Sequence, residues 1–172
     1  LHGRESECDV HMERMRKLAH LVDLPVETCR MQLDSGWIHC LRQEFDEALC
    51  LARQGIEMAR SMGLHTVLDS LLHLIGTIDS AVANPRKNVI RALDVLEQAL
   101  HGAEAHRRPR LRWQVLQAIG SIYSARGNED IAQGYLARAG EVEAVVFGVL
   151  PPELSALSWH HPADRQLSGA RR

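Results

Sequence analysis

Aromatic side chains are scarce in this chain: two phenylalanines, two tyrosines and three tryptophans among 172 residues. Sheets fill their pleated surfaces with aromatic and β-branched residues, so this scarcity argues against a many-stranded β architecture. Alanine and leucine abound instead, and six prolines sit at wide intervals, which favours packed helices. No apolar run approaches the ~18 residues that span a bilayer, and residues 1–7 lack the apolar core of a signal peptide. The chain is therefore expected to be soluble, intracellular and cytoplasmic. Charge of one sign is lacking too: 20 Lys+Arg against 22 Asp+Glu leave a net charge of −2. No global field draws nucleic acid or an anionic membrane, so no membrane partner is expected, and a nucleic-acid partner would need a local basic patch. The four cysteines, Cys8, Cys29, Cys40 and Cys50, lack the spacing of a small disulfide scaffold and read as reduced thiols. The first residue is not methionine, so the chain reads as an excised or processed piece of a larger protein.

With 45% hydrophobic and 24% charged residues, the sequence has enough apolar surface to bury a core. Three glycines, Gly36, Gly76 and Gly120, close apolar-periodic stretches 40 and 44 residues apart, a spacing typical of helical arrays. Between them run stripes of small or apolar residues at helical spacing: Ala48, Ala52, Gly55 and Ala59; Ala92, Leu96, Ala99 and Ala103; Ala132, Leu136 and Ala139. Cys8, Met12, Met15 and Ala19 continue the same register backwards. Small residues facing one another let the two helices of a hairpin approach closely. The longer step in the second repeat coincides with Asn84-Pro85-Arg86-Lys87, where Asn is a helix cap and Pro suits the first turn.

The expected fold class is all-α. Helices are predicted at about 4–22, 25–41, 44–61, 64–82, 85–104, 109–126 and 128–147, with short connections that make neighbours antiparallel. Residues 1–149 are expected to form the repeat domain, with hairpins over about 25–61, 64–104 and 109–147. In residues 150–172 a short capping helix from Pro151 to Trp159 precedes a disordered tail.

The third repeat, with Leu116, Ile119, Gly120, Tyr123, Ala132, Leu136, Ala139 and Ala144, resembles a tetratricopeptide repeat, whose pattern runs W-x2-L-G-x2-Y, A-x3-F, P. Gly120, Tyr123 and Ala132 match; Leu116, Ile119, Leu136 and Ala144 stand at the Trp, Leu, Phe and Pro positions. In the first repeat Gly36, Phe45, Ala48 and Gly55 fit while His39 replaces Tyr, and in the second Gly76, Ala92 and Ala99 fit while Asp79 replaces it. The resemblance covers about residues 4–147. The long repeat is similar to those of large bacterial signalling and transcription-regulating ATPases and kinases, and Leu150-Pro151-Pro152-Glu153-Leu154 resembles the sequence that ends such regions. It implies a right-handed α-solenoid and a protein–protein or peptide interaction module.

In such solenoids the first helix of each hairpin lines a concave groove, which the resemblance places at Arg30, Leu33, Trp37 and Leu41, then Ser70, His73 and Thr77, then Gln114, Gln117 and Ser121. Trp37 reads either as interhelix packing or as a ligand anchor. The Lys and Asn of chaperone-binding relatives are missing, because Leu33, Trp37, Leu74, Gln114 and Ala118 stand at those positions; the asparagines of peptide-sensing relatives are missing as well. Arg107, Arg108, Arg110 and Arg112 form a basic patch that phosphate, nucleic acid or an acidic segment would fit; without interleaved aromatics it reads as a solvated interhelix loop. Cys8 with His11 and His39 with Cys40 lack the paired spacing of a zinc site, so no metal and no cofactor are expected. No nucleophile elbow, P-loop, HExxH or dinucleotide fingerprint is present, which argues against an enzyme. Asp79 is expected to pair with a donor from a neighbouring helix. A second reading is a self-association scaffold, in which Met12, Met15, Leu18 and Val22 of the first predicted helix await a second copy.

Overall fold

A computed structural model describes residues 10–11, 13–15, 17–18, 24–82 and 87–148; the cap expected at Asn84 and everything expected of residues 150–172 lie outside the described residues. Residues 10–11, 13–15 and 17–18 are helical, and six longer helices follow: α1 (Pro25–Leu41), α2 (Phe45–Ser61), α3 (His65–Ala81), α4 (Lys87–Ala105), α5 (Pro109–Ser124) and α6 (Glu129–Phe147). No strand occurs among the described residues. The helices pack mainly as the pairs α1–α2, α3–α4 and α5–α6; each pair also leans on the next, and α1, α3 and α5 touch in series.

Each pair closes at its glycine. A Cβ added at Gly36, Gly76 or Gly120 would sit 3.6, 3.3 or 3.4 Å from the carbonyl oxygen of Ala48, Ala92 or Ala132, respectively. The small-residue stripes thus face each other at the crossing, and Ala48, Ala92 and Ala132 are wholly buried there. Leucines fill the remaining space: Leu74 lies against Gly36, Leu96 against Gly76 and Leu136 against Gly120.

The four described connections share one local solution. Gln43, Gly63, Arg107 and Gly127 each precede a helix N-cap and each adopt positive φ, at 63°, 66°, 50° and 75°. The chain turns back through these residues while the helix ends bond to the loop; Glu44 N–H donates to His39 and Asn128 N–H to Tyr123. That turn ends α5 at Ser124, two residues before the periodicity placed its end. None of the N-caps at Leu24, Glu44, Leu64, Arg108 and Asn128 makes a side-chain capping bond. Left-handed backbone is cheap for glycine and costs ~1–2 kcal/mol with a side chain. Gln43→Gly should therefore raise stability by ~0.5–1 kcal/mol in urea denaturation, the rest being offset by the freer unfolded chain; a loss would show that the Gln43 side chain holds the turn.

Candidate functional site

The first helices carry the positions expected to line a groove, and the structure sorts them by depth. Trp37, His73 and Thr77 are buried, and the Trp37 ring meets His73 at 5.4 Å between centroids, tilted by 57°. Thr77 turns its hydroxyl back to the His73 carbonyl at 2.9 Å, a local bond that leaves little of it for a ligand. Leu33, Leu41, Ser70, Gln114 and Gln117 are half-buried, while Arg30 and Ser121 are exposed. The accessible part of this face is thus mixed, polar at Arg30, Gln114, Gln117 and Ser121 and apolar at Leu33 and Leu41, with Arg30 3.9 Å from Glu27 on its own helix.

The arginine loop is not wholly solvated, which corrects the expectation for two of its members. Arg108 is half-buried and its guanidinium donates to the Thr66 carbonyl and, at 3.0 Å, to the Ser70 hydroxyl, joining the start of α5 to α3. Burial pulls Arg108 below the ordinary guanidinium value, and nearby Asp69 pulls it back up. Arg112 lies 3.1 Å from Glu104, which also takes Arg138 at 3.4 Å, so one carboxylate of α4 joins α5 to α6. Arg107 and Arg110 are the exposed members of the patch.

Two buried carboxylates organise the second hairpin. Asp79 takes both Nε, at 2.7 Å, and the terminal guanidinium nitrogen of Arg91, a two-pronged pair across α3 and α4 that fulfils the pairing expected of it. The Asp79 hydrogen bond raises Arg91 above its ordinary value. Asp69 accepts from His106 Nδ1 at 2.8 Å, and the His106 ring stacks on His65 at 5.5 Å. Asp69 fits only because position 102 is glycine, since an added Cβ would lie 2.5 Å from its Cγ. The sequence held a signal for this: ten residues past Ala48, Ala92 and Ala132 stand Met58, Gly102 and Val142, and only the second lacks a side chain.

On the outer side Tyr135 stacks on Tyr123, with centroids 5.7 Å apart and planes 11° from parallel, and donates its hydroxyl to Glu97 at 2.6 Å. Holding that proton against Glu97 pushes Tyr135 up to about 12. A group raised in the folded state adds stability that is complete below its unfolded value near 10 and is lost as the pH rises through the folded value. Tyr135→Phe should therefore flatten the loss of stability between pH ~10 and ~12 relative to the parent. Urea midpoints across that range are the check, and parallel curves would deny the bond.

Cys29 and Cys40 are buried and Cys50 is exposed; burial pushes the Cys29 thiol up. Among the described residues no group of three or more His, Cys, Asp and Glu is placed to hold a metal ion, and no helix is long and apolar enough to cross a membrane. What the described surface offers is a mixed polar and apolar first-helix face, with ionic ties between the helices. Compared with protein-family models, with curated proteins and with solved structures, the chain matches none.

Proposed function

We propose that the chain is a non-catalytic module for binding a protein or peptide, built as a right-handed α-solenoid of three tetratricopeptide-like hairpins within a larger cytoplasmic regulator of bacterial signalling or transcription. The observation that carries this reading is the serial packing of α1, α3 and α5, because helices in a row offer their outward positions as one surface. Arg30, Gln114, Gln117 and Ser121 are its accessible polar contacts, and Leu33 and Leu41 its apolar ones. Peptide sensing and nucleic-acid binding are the weaker uses: the former lacks groove asparagines, and Arg108 and Arg112 are engaged within the fold. A photo-reactive side chain at Gln117 should form a protein adduct in cells, whereas one at Glu57 on α2 should not; equal adducts at both would refute the face.

A second reading, self-association through residues 4–22, is favoured by the exposure of Val10, Met15 and Leu18. Sedimentation of the parent and of Met15→Glu with Leu18→Glu tests it, since a dimer that survives both changes does not use that helix.

A further inference from the structure

The arginines that tie helices together are held in two different ways. Arg91 grips Asp79 through Nε and Nη2, the side-on edge of its guanidinium, and Arg112 and Arg138 both lie on Glu104. Arg108, half-buried at the N-cap of α5, meets neutral oxygens instead. Its Nη1 donates to the Thr66 carbonyl and, at 3.0 Å, to the Ser70 hydroxyl, which itself donates to the same carbonyl at 3.3 Å. This triangle orients the guanidinium and occupies one of its three nitrogens. Nε and Nη2 make no hydrogen bond or ion pair among the described residues, and neither is sealed from solvent. The nearby carboxylate of Asp69 is bonded to His106.

A partly desolvated cation with an open fork carries a cost that an apolar residue at the same place would not. The other first helices show that the fold does not require a cation there, because the N-cap of α1 is Leu24 and that of α3 is Leu64. Residues 105–113 hold four arginines and no acid, and Arg107 and Arg110 are exposed on either side of Arg108. The potential at the fork is therefore positive. Ser70 occupies the register position that Arg30 holds in α1 and Gln114 in α5, six residues before each crossing glycine. The Arg108 guanidinium thus sits against the first-helix face, where α3 meets the start of α5.

We propose that the Nε–Nη2 edge of Arg108 receives an oxyanion of a bound protein segment, either the carboxylate of an acidic side chain or a phosphate monoester. Both groups present two oxygens that match the side-on fork, and Asp79 on Arg91 is the same pairing within the chain. A nucleic-acid backbone fits less well, since one fork is not a track of cations and no aromatic side chain is interleaved with the four arginines. The inference rests on the first-helix face proposed above and names the group which that face selects.

The test uses the full chain, with sodium phosphate and sodium acetate as probes and sodium chloride at equal ionic strength as the control. The Nε–H resonance of Arg108, identified by its loss in Arg108→Leu, should shift saturably with phosphate or acetate and little with chloride; the tighter of the two names the oxyanion. Arg108→Lys keeps the charge and loses the fork, so the backbone resonances of Thr66 and Ser70 should then need roughly tenfold more anion to respond. Arg107→Gln with Arg110→Gln removes only screened charge and should weaken the response by about threefold or less. Arg108→Lys should also diminish the photo-adduct formed from Gln117 in cells. An Arg108 resonance indifferent to phosphate and acetate overturns the proposal and leaves the face, which the Gln117 adduct reads by itself, standing. Saturable anion binding with an undiminished adduct in Arg108→Lys overturns it too, because the fork then holds a free ion and no partner. Absence of the adduct from the parent refutes the face and the partner segment together, even where the anions bind. A DNA duplex bound with the same dependence on Arg108 overturns the assignment to a protein.

Discussion

Cutting Trp37 to alanine should destabilise the isolated chain by ~3–5 kcal/mol, the cost of emptying a large core site. Trp37 stands one residue past the crossing glycine of the first hairpin, at a groove position by resemblance, yet only 8% of its surface is exposed and its ring lies on His73 of α3. A tryptophan that anchors a ligand loses contacts in the complex; one wedged between two first helices loses them in the free protein. The expected result is a large fall in urea midpoint without any partner present. A change under ~0.5 kcal/mol, the range of ordinary surface substitutions, would return Trp37 to the groove as an anchor.

The second large effect belongs to Arg91 and Asp79. Asp79 is 1% exposed, so its carboxylate depends on the guanidinium that reaches it from α4. Arg91→Leu removes the partner and leaves the acid in the core, a change that costs ~3–5 kcal/mol for fully buried pairs. Arg91 itself is about half exposed, with 52% of its side chain open to solvent, so water reaches the pair and the lower end of that range is expected. Replacing both residues, Asp79→Leu with Arg91→Leu, should recover most of the loss, because an apolar pair of similar volume needs no compensation. If the double variant is no better than Arg91→Leu alone, the cost of Arg91→Leu comes from lost packing of its stem rather than from an unpaired acid.

The helices were legible from their apolar period and, at most boundaries, from a second signal of punctuating Pro, Gly or Asn. α1 opens at Pro25 and α5 at Pro109, both at the first helical position where proline is pre-set, and the stripes from Ala48, Ala92 and Ala132 run along the buried sides of α2, α4 and α6. Caps were less legible: Asn128, a residue type that often caps through its side chain, makes no such bond, and the turns rely on positive φ at residues such as Gln43 and Arg107 that carry no sequence signature of it.

Side-chain depth was the least legible part. Trp37, His73 and Thr77 share the register of Leu33, Ser70 and Gln117, and periodicity alone cannot say that α1 and α3 lie close enough to bury the first three. Arg108 looked like a loop charge because its partners, Thr66 and Ser70, lie some 40 residues away in the chain, at separations of 42 and 38. Long-range polar partners leave no local pattern; Gly102, the missing side chain that admits Asp69, became readable only once three hairpins were aligned.

Helices cross closely at Gly36, Gly76 and Gly120, most tightly where the neighbouring leucine is fully buried, and melting temperatures of five Gly→Ala variants test this most directly. An added Cβ at Gly76 would lie 2.5 Å from the Cγ of fully buried Leu96, and one at Gly36 2.6 Å from Cδ2 of fully buried Leu74. Overpacking costs ~1–3 kcal/mol, more than the ~1 kcal/mol that alanine gains over glycine inside a helix, so Gly76→Ala and Gly36→Ala should melt lower, Gly76→Ala lowest. Gly120→Ala should change little, because the Leu136 side chain 2.8 Å away is partly exposed and has room to turn. Gly134→Ala and Gly140→Ala meet open space and should melt higher by that propensity gain. A uniform rise across all five would contradict the close crossings, and with them the repeated hairpin.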